Sequence, residues 1–214
     1  MQLWTFQGIE IYDQMMREGI TYCSKPTMGD NENFMYCYRW MAQQMRERIG
    51  EPPLSNIEFP MWAWYQYHSR KKRKPTLSCW DIPQGKSVFM EIELPSERVL
   101  LSDFSMWHSP LNFTPVKDFK RIWKKMEQQD KLAGKMLDFF DYPLELQQEI
   151  AESWTDVFDF SRRDKSDKYG LHISKRNRSI QATFWALRPS DVVDVIFFEH
   201  EGKSIKQSKL PNDS

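Results

Sequence analysis

Cysteine is scarce, and nothing in its spacing puts it to use. Cys23, Cys37 and Cys79 are the three present, far apart and without a Cys-x-x-Cys pair. That pattern reads as reduced thiols in a cytoplasmic protein and gives no zinc site. The four histidines, His68, His108, His172 and His200, are equally scattered, and none has a neighbour at metal-ligand spacing. A Walker loop, a Gly-x-Gly-x-x-Gly turn and a Gly-x-Ser-x-Gly elbow are all missing, which removes P-loop, Rossmann and α/β-hydrolase chemistry. Charge of one sign is missing too: 30 Lys and Arg offset 30 Asp and Glu. There is therefore no global attraction to nucleic acid, only what local clusters supply. No apolar run is long enough to span a membrane, and Met1 leads straight into a strand, so neither an anchor nor a signal peptide is expected.

What the chain has in quantity is aromatic side chains: nine Trp, eight Tyr and 14 Phe in 214 residues. They are ample for the core of about one domain, and they also suit ligand sites. The opening stretch organises the rest. Leu3 to Gln7 reads as a strand with Trp4 and Phe6 on one face and Leu3, Thr5 and Gln7 on the other. Gly8 turns the chain into an amphipathic helix carrying Ile9, Tyr12, Met15 and Met16, and Gly19 stands where its C-cap belongs. A strand that sets small polar groups beside apolar ones and then feeds a helix is a common beginning for a ligand pocket.

A helix over roughly 32–49 follows, from the spacing of Phe34, Tyr38, Met41 and Met45, and Gly50-Glu51-Pro52-Pro53 ends it. Pro60 to His68 is an aromatic strand, with Trp62, Trp64 and Gln66 on one face and Ala63, Tyr65 and Tyr67 on the other. Five cations, Arg70-Lys71-Lys72-Arg73-Lys74, come directly after it. Charge for a backbone beside rings for bases is the pairing a single-stranded nucleic-acid groove uses, although such runs are also plain solvated loops. Leu77 to Trp80 reads as a short strand. Val88 to Leu94 alternates apolar residues against Phe89, Glu91 and Glu93 and is a half-buried strand; Val99 to Phe104 is another. Asp103 ends that strand, placed either to cap backbone N–H groups or to reach a substrate hydroxyl. Helices are expected over 115–140 and 143–160, the second with Pro143 at its first position. Residues 161–178 are polar and basic, and a long basic loop of that kind can cover an anionic ligand. Two strands close the chain, 179–187 with Gln181, Thr183 and Trp185 on one face, and 192–198. Turn-linked strands with grouped helices indicate an α+β fold. The organisation expected is one domain over 1–200, with a helical insertion at 115–160 and a frayed polar tail at 201–214.

Several of these segments resemble an uncharacterised bacterial family whose members open on a Leu-Trp-Thr-x-Gln strand. The likeness runs through Leu3-Trp4-Thr5-Phe6-Gln7, Tyr38-Arg39-Trp40-Met41, Trp62-Ala63-Trp64-Tyr65, Val99 to Phe104, Trp107 with Leu111-Asn112, and Ile180-Gln181-Ala182-Thr183-Phe184. More remotely, the opening strand, helix and Gly19-Ile20 are similar to the start of DarT-like ADP-ribosyltransferases, which begin with a His-x-Thr strand, a helix and Gly-Leu. Thr5 stands at that family's NAD-binding His and Gln7 at its Thr. Gln181-Ala182-Thr183 matches the frame of its Gln-Ala-Glu strand, with Thr183 at the catalytic Glu.

The resemblance implies an ADP-ribosyltransferase-like split antiparallel sheet that takes NAD as substrate. It implies Thr5 and Gln7 on the NAD, Trp64 or Tyr65 stacked on it, and Gln181 and Thr183 at the reacting ribose. Threonine cannot act as a base at neutral pH, so Asp103, Glu91 or Glu93 is the substitute carboxylate, or the chemistry needs less help from a base, or the domain binds without reacting. Arg70, Lys71, Lys72, Arg73, Arg176 and Arg178 would hold a nucleic-acid acceptor, RNA foremost, with a protein acceptor as the other choice. The relatives are toxins of toxin–antitoxin and phage-defence systems, and a CmdT-like chain would be held by an antitoxin and a chaperone. The alternatives are a non-catalytic nucleotide- or RNA-binding module of the same fold, and a purely structural interaction protein.

Overall fold

A computed structural model of the chain describes residues 1–26, 32–67, 74–77, 82–161, 178–201 and 204–208. The chain divides into two compact units, one of Met1–Leu101 with Ser179–Ser214, the other of Ser102–Arg178.

The first unit is built on β1 (Gln2–Gly8), β3 (Met61–Gln66), β4 (Gly85–Glu93), the first two residues of β5 (Leu100–Asp103), β6 (Ile180–Phe184), β8 (Val192–Glu201) and β9 (Ser204–Ser208). These form a seven-stranded sheet in the order β5-β6-β3-β1-β4-β8-β9. Every pairing from β6 across to β9 is antiparallel. A second small sheet pairs β2 (Thr21–Tyr22) with β7 (Ala186–Leu187). With α1 (Ile9–Glu18) and α2 (Glu32–Ile49), the unit is α+β with a large antiparallel sheet.

Period-two alternation sorts the side chains. Leu3, Val88, Met90, Ile92 and Leu94 are wholly buried in one cluster with Met15 of α1. Each contributes roughly 1.5–3 kcal/mol by leaving water. Trp4, Phe89 and Phe198 form a second cluster with Ile82, where Phe6 stacks on Phe89 at 4.4 Å between ring centres. α1 ends at Gly19, whose φ of 74° is left-handed and whose N–H reaches Met15 O.

Three local features depart from simple alternation. The register between β3 and β6 shifts between Trp64 and Gln66. Such a bulge reverses the faces beyond it, so Tyr67 leaves Tyr65's side and meets Trp64 edge-on at 5.0 Å. The strand expected over 179–187 breaks at Trp185: β6 stays in the large sheet and β7 crosses to β2. Trp185 anchors the break, its Nε1 donating to Gly50 O at 2.9 Å with the Arg46 guanidinium 5.3 Å from its ring centre. The polar tail is not wholly frayed, because β9 pairs with β8 from Phe197–Ser208 to Glu201–Ser204. Of the strand expected over 77–80, Leu77 is a turn and 78–80 lie outside the described residues.

The second unit holds α3 (Phe104–Leu111), α4 (Phe119–Ala133) and α5 (Leu144–Ser153). α4 is shorter than expected because Gly134, at φ 68°, caps it. Pro143 sits at the N-cap of α5 with extended geometry, one position ahead of the expected one. A 3₁₀ segment, Trp154–Phe158, carries the chain on from α5. Trp154 is wholly buried, donates to Thr114 O at 2.9 Å and stacks with Phe139. The helix α3 was not expected from sequence; Asp103 starts it by accepting from the N–H groups of Ser105 and Met106 at 3.0 and 3.2 Å.

Candidate functional site

The sheet parts between its two central strands. β1 and β3 share a single register pair, Trp4 with Trp64, whereas β1 and β4 pair along all of β1. Where β1 and β3 diverge, side chains take over the backbone's unmet hydrogen bonds. Thr5 Oγ1 donates to Trp62 O at 2.8 Å, and Gln7 Nε2 donates to Thr5 Oγ1 at 2.7 Å. The gap opens into a cleft of about 660 Å³, the size of a small-molecule site.

Residues from both faces of the sheet reach the cleft through this gap. Thr5, Gln7, Trp64 and Gln181 line it together, although 176 positions of sequence separate the first from the last. Gln181 lies opposite Trp64 on β6. Its Oε1 is buried and has no hydrogen-bond partner among the described residues, so it remains an acceptor for a ligand's O–H or N–H, since a buried acceptor left unmade costs about 1–3 kcal/mol. Tyr38 and Trp62, edge-on at 5.8 Å, add an aromatic wall. Lys25 and Lys86 bring positive charge to the lining, and Glu10 is its carboxylate. The N-terminus of α1 opens here as well, at Gly8, where no side chain caps the first N–H groups. The Cys23 thiol also lines the cleft, but burial pushes its pKa up to about 11, which makes it a poor nucleophile.

Other residues singled out from the sequence lie elsewhere. Tyr65 is absent from the lining and packs on the core cluster of Leu3 and Met90. Thr183 is wholly buried, its Oγ1 donating to Leu100 O at 3.2 Å; it holds β6 and does not line this cleft. Asp103, in the second unit, caps α3 and pairs with Arg178 Nε at 3.0 Å, both side chains being under a tenth exposed. Arg178 also donates to Phe160 O at 3.3 Å, so it is committed inside its own unit. Glu91 accepts from Gln2 Nε2, from Trp4 Nε1 at 3.1 Å and from Lys74 Nζ at 3.1 Å. Those bonds, Gln2's foremost, hold its carboxyl below the usual range. Neither Glu91 nor Glu93 lines the cleft. Arg70, Lys71, Lys72, Arg73 and Arg176 lie outside the described residues.

Sequence reasoning missed Glu10. It is an acid in the first turn of α1, where a carboxylate complements the helix dipole, and nothing in the sequence sets it apart from other such acids. Among the described residues no cluster of three or more His, Cys, Asp or Glu could hold a metal ion. No described helix is long and apolar enough to cross a membrane.

Fold and site thus define an α+β protein with a parted antiparallel sheet and an aromatic, amide-lined cleft. Residues 2–193 match the family described as a domain of unknown function, DUF3841, and the chain belongs to that family. No curated protein and no solved structure matches it.

Proposed function

We propose that the cleft binds NAD and that the chain transfers ADP-ribose from it to a nucleic acid, RNA foremost. The observation that carries this reading is the convergence of Thr5, Gln7, Trp64 and Gln181 on one cleft in the parted sheet. The resemblance to DarT-like transferases implied NAD contacts at Thr5, Gln7, Gln181 and Thr183 with Trp64 or Tyr65 stacking; Thr183 and Tyr65 are the two that do not line the cleft. In this reading the fold is ADP-ribosyltransferase-like.

The residues divide the work by chemistry. Gln181 Oε1, buried and unpartnered, suits a ribose hydroxyl or a carboxamide N–H. Trp64, Trp62 and Tyr38 offer ring faces and edges to a nicotinamide or adenine ring. Lys25 and Lys86 suit the pyrophosphate. Gln7, fixed on Thr5, and Thr5, fixed on Trp62 O, keep the wall rigid, and rigid polar groups serve an oxocarbenium-like ribose without reorganising. The biological setting that accompanies this proposal is a phage-defence or toxin–antitoxin toxin, restrained by an antitoxin and a chaperone.

A second reading, a non-catalytic nucleotide- or RNA-binding module of the same fold, draws on Thr183. It occupies the transferase family's Glu position and is buried against Leu100 O. Incubating the purified protein with radiolabelled NAD and, separately, RNA, DNA or cell-extract protein decides between them. Label on RNA with release of nicotinamide supports the transferase. Saturable NAD binding without release supports the module. Folded protein that neither binds nor consumes NAD removes the transferase, and if it also fails to bind RNA or another nucleotide it removes the module.

A further inference from the structure

Resting on the NAD reading, the chemistry still lacks a carboxylate. Thr183 cannot supply one, Asp103 is spent on Arg178 and the α3 cap, and Glu91 is tied to Gln2, Trp4 and Lys74. Among the described residues only one carboxylate lines the cleft, and it is Glu10. We propose that Glu10, in the first turn of α1, is the catalytic carboxylate of this site and takes the proton of the acceptor.

The neighbouring glycine is the independent observation. Gly8 has φ −61° and ψ 152°, which any L-residue adopts, so no backbone requirement selects glycine there. A methyl group at position 8 would lie 2.1 Å from Glu10 Oε1 and 2.5 Å from its Cδ and Oε2, the far end of a flexible side chain that would have to move aside. The carboxyl group is folded back over the Gly8 Cα, and both residues line the cleft. Glu10 is solvent-exposed, which keeps its carboxylate open to an acceptor arriving from outside.

The step balances without any further reactant. The bond between the ribose C1′ and the nicotinamide nitrogen breaks, and its electron pair leaves with nicotinamide as the pyridinium becomes neutral. An O–H or N–H group of the acceptor forms the new bond to C1′, and its proton passes to the Glu10 carboxylate and then to water.

The test uses the full chain, radiolabelled NAD and total bacterial RNA, with NAD binding measured separately by equilibrium dialysis. Glu10→Gln keeps the shape and removes the base; it should bind NAD within about threefold of the parent and lose about a hundredfold or more in kcat, the range general-base loss produces. Glu10→Asp, which keeps the charge on a shorter arm, should recover part of that loss. Gly8→Ala leaves Glu10 in place but displaces its carboxyl group, so kcat should fall while melting temperature and NAD affinity hold. A Glu10→Gln protein that turns over within threefold of an active parent overturns the proposal and leaves the NAD reading standing. A folded parent that does not bind NAD overturns both.

Discussion

Removing the Asp103 carboxylate tests whether that residue is scaffold or chemistry. Asp103→Ala deletes the α3 cap, two N–H acceptances at 3.0 and 3.2 Å, worth about 1 kcal/mol. It also removes the Asp103 carboxylate from the Arg178 guanidinium, whose side chain is 8% exposed against 6% for its partner; breaking such a pair from one side costs about 3–5 kcal/mol. The expected loss is roughly 4–6 kcal/mol, a large share of a domain's usual stability of about 5–15 kcal/mol. Helical circular dichroism in urea reads it as a midpoint about 2–3 M lower, taking a slope of about 2 kcal/mol/M. Asp103→Asn keeps an oxygen for the cap and should lose about 3 kcal/mol. Adding Arg178→Met to Asp103→Asn removes the guanidinium charge and should restore most of that. If Asp103→Ala costs under 1 kcal/mol, or the double variant is no better than the single, the pair does not hold the unit as argued. NAD turnover measured well below the unfolding midpoint should be unchanged.

Other outcomes follow from the same geometry. Thr183→Val, close to isosteric, should lower stability by about 1–2 kcal/mol through the lost bond to Leu100 O and leave NAD affinity as it was; a large loss of binding would return Thr183 to the site. Burial raises Cys23 to about 11 and Cys37 to about 12, so at neutral pH both should react with iodoacetamide far more slowly than in urea, and equal rates would refute that protection. Glu91 has its folded pKa lowered from 4.5. Its stabilisation is therefore complete above about 4.5 and disappears as pH falls through the lower folded value. Glu91→Gln should flatten that acid limb of the urea midpoint, more visibly at low salt, and an unchanged limb would contradict the assignment.

Much of the scaffold was readable because period and punctuation agreed. Glu32–Ile49 emerged from apolar residues every three or four positions, and the core side of β4 from Val88, Met90, Ile92 and Leu94. What stayed hidden was whatever alternation cannot report. The β3 bulge reverses Tyr67 without changing the pattern of apolar residues. The run through Trp185 alternates smoothly while the chain changes sheets. α3 went unread because Asp103 was weighed only as a cap of backbone N–H groups or a substrate contact, and Pro110 inside the helix argues against one on propensity.

The site was legible in the same partial way. Thr5, Gln7, Trp64 and Gln181 could be named from resemblance, yet only the parting of β1 from β3 brings both faces of the sheet to one opening. Tyr65 was indistinguishable from Trp64 in an aromatic run, and the side of the strand decided between them. Glu10 could not be raised above an ordinary helix acid until its carboxyl group was seen lying over Gly8.

Equilibrium binding of NAD to the full chain and to Gln181→Ala, both shown to be folded, tests the central claim most directly. The account predicts saturable binding by the parent and at least a tenfold weaker constant for the variant, a change of about 1.4 kcal/mol or more for one lost buried hydrogen bond. Binding that ignores Gln181, or no binding by the folded parent, would contradict it.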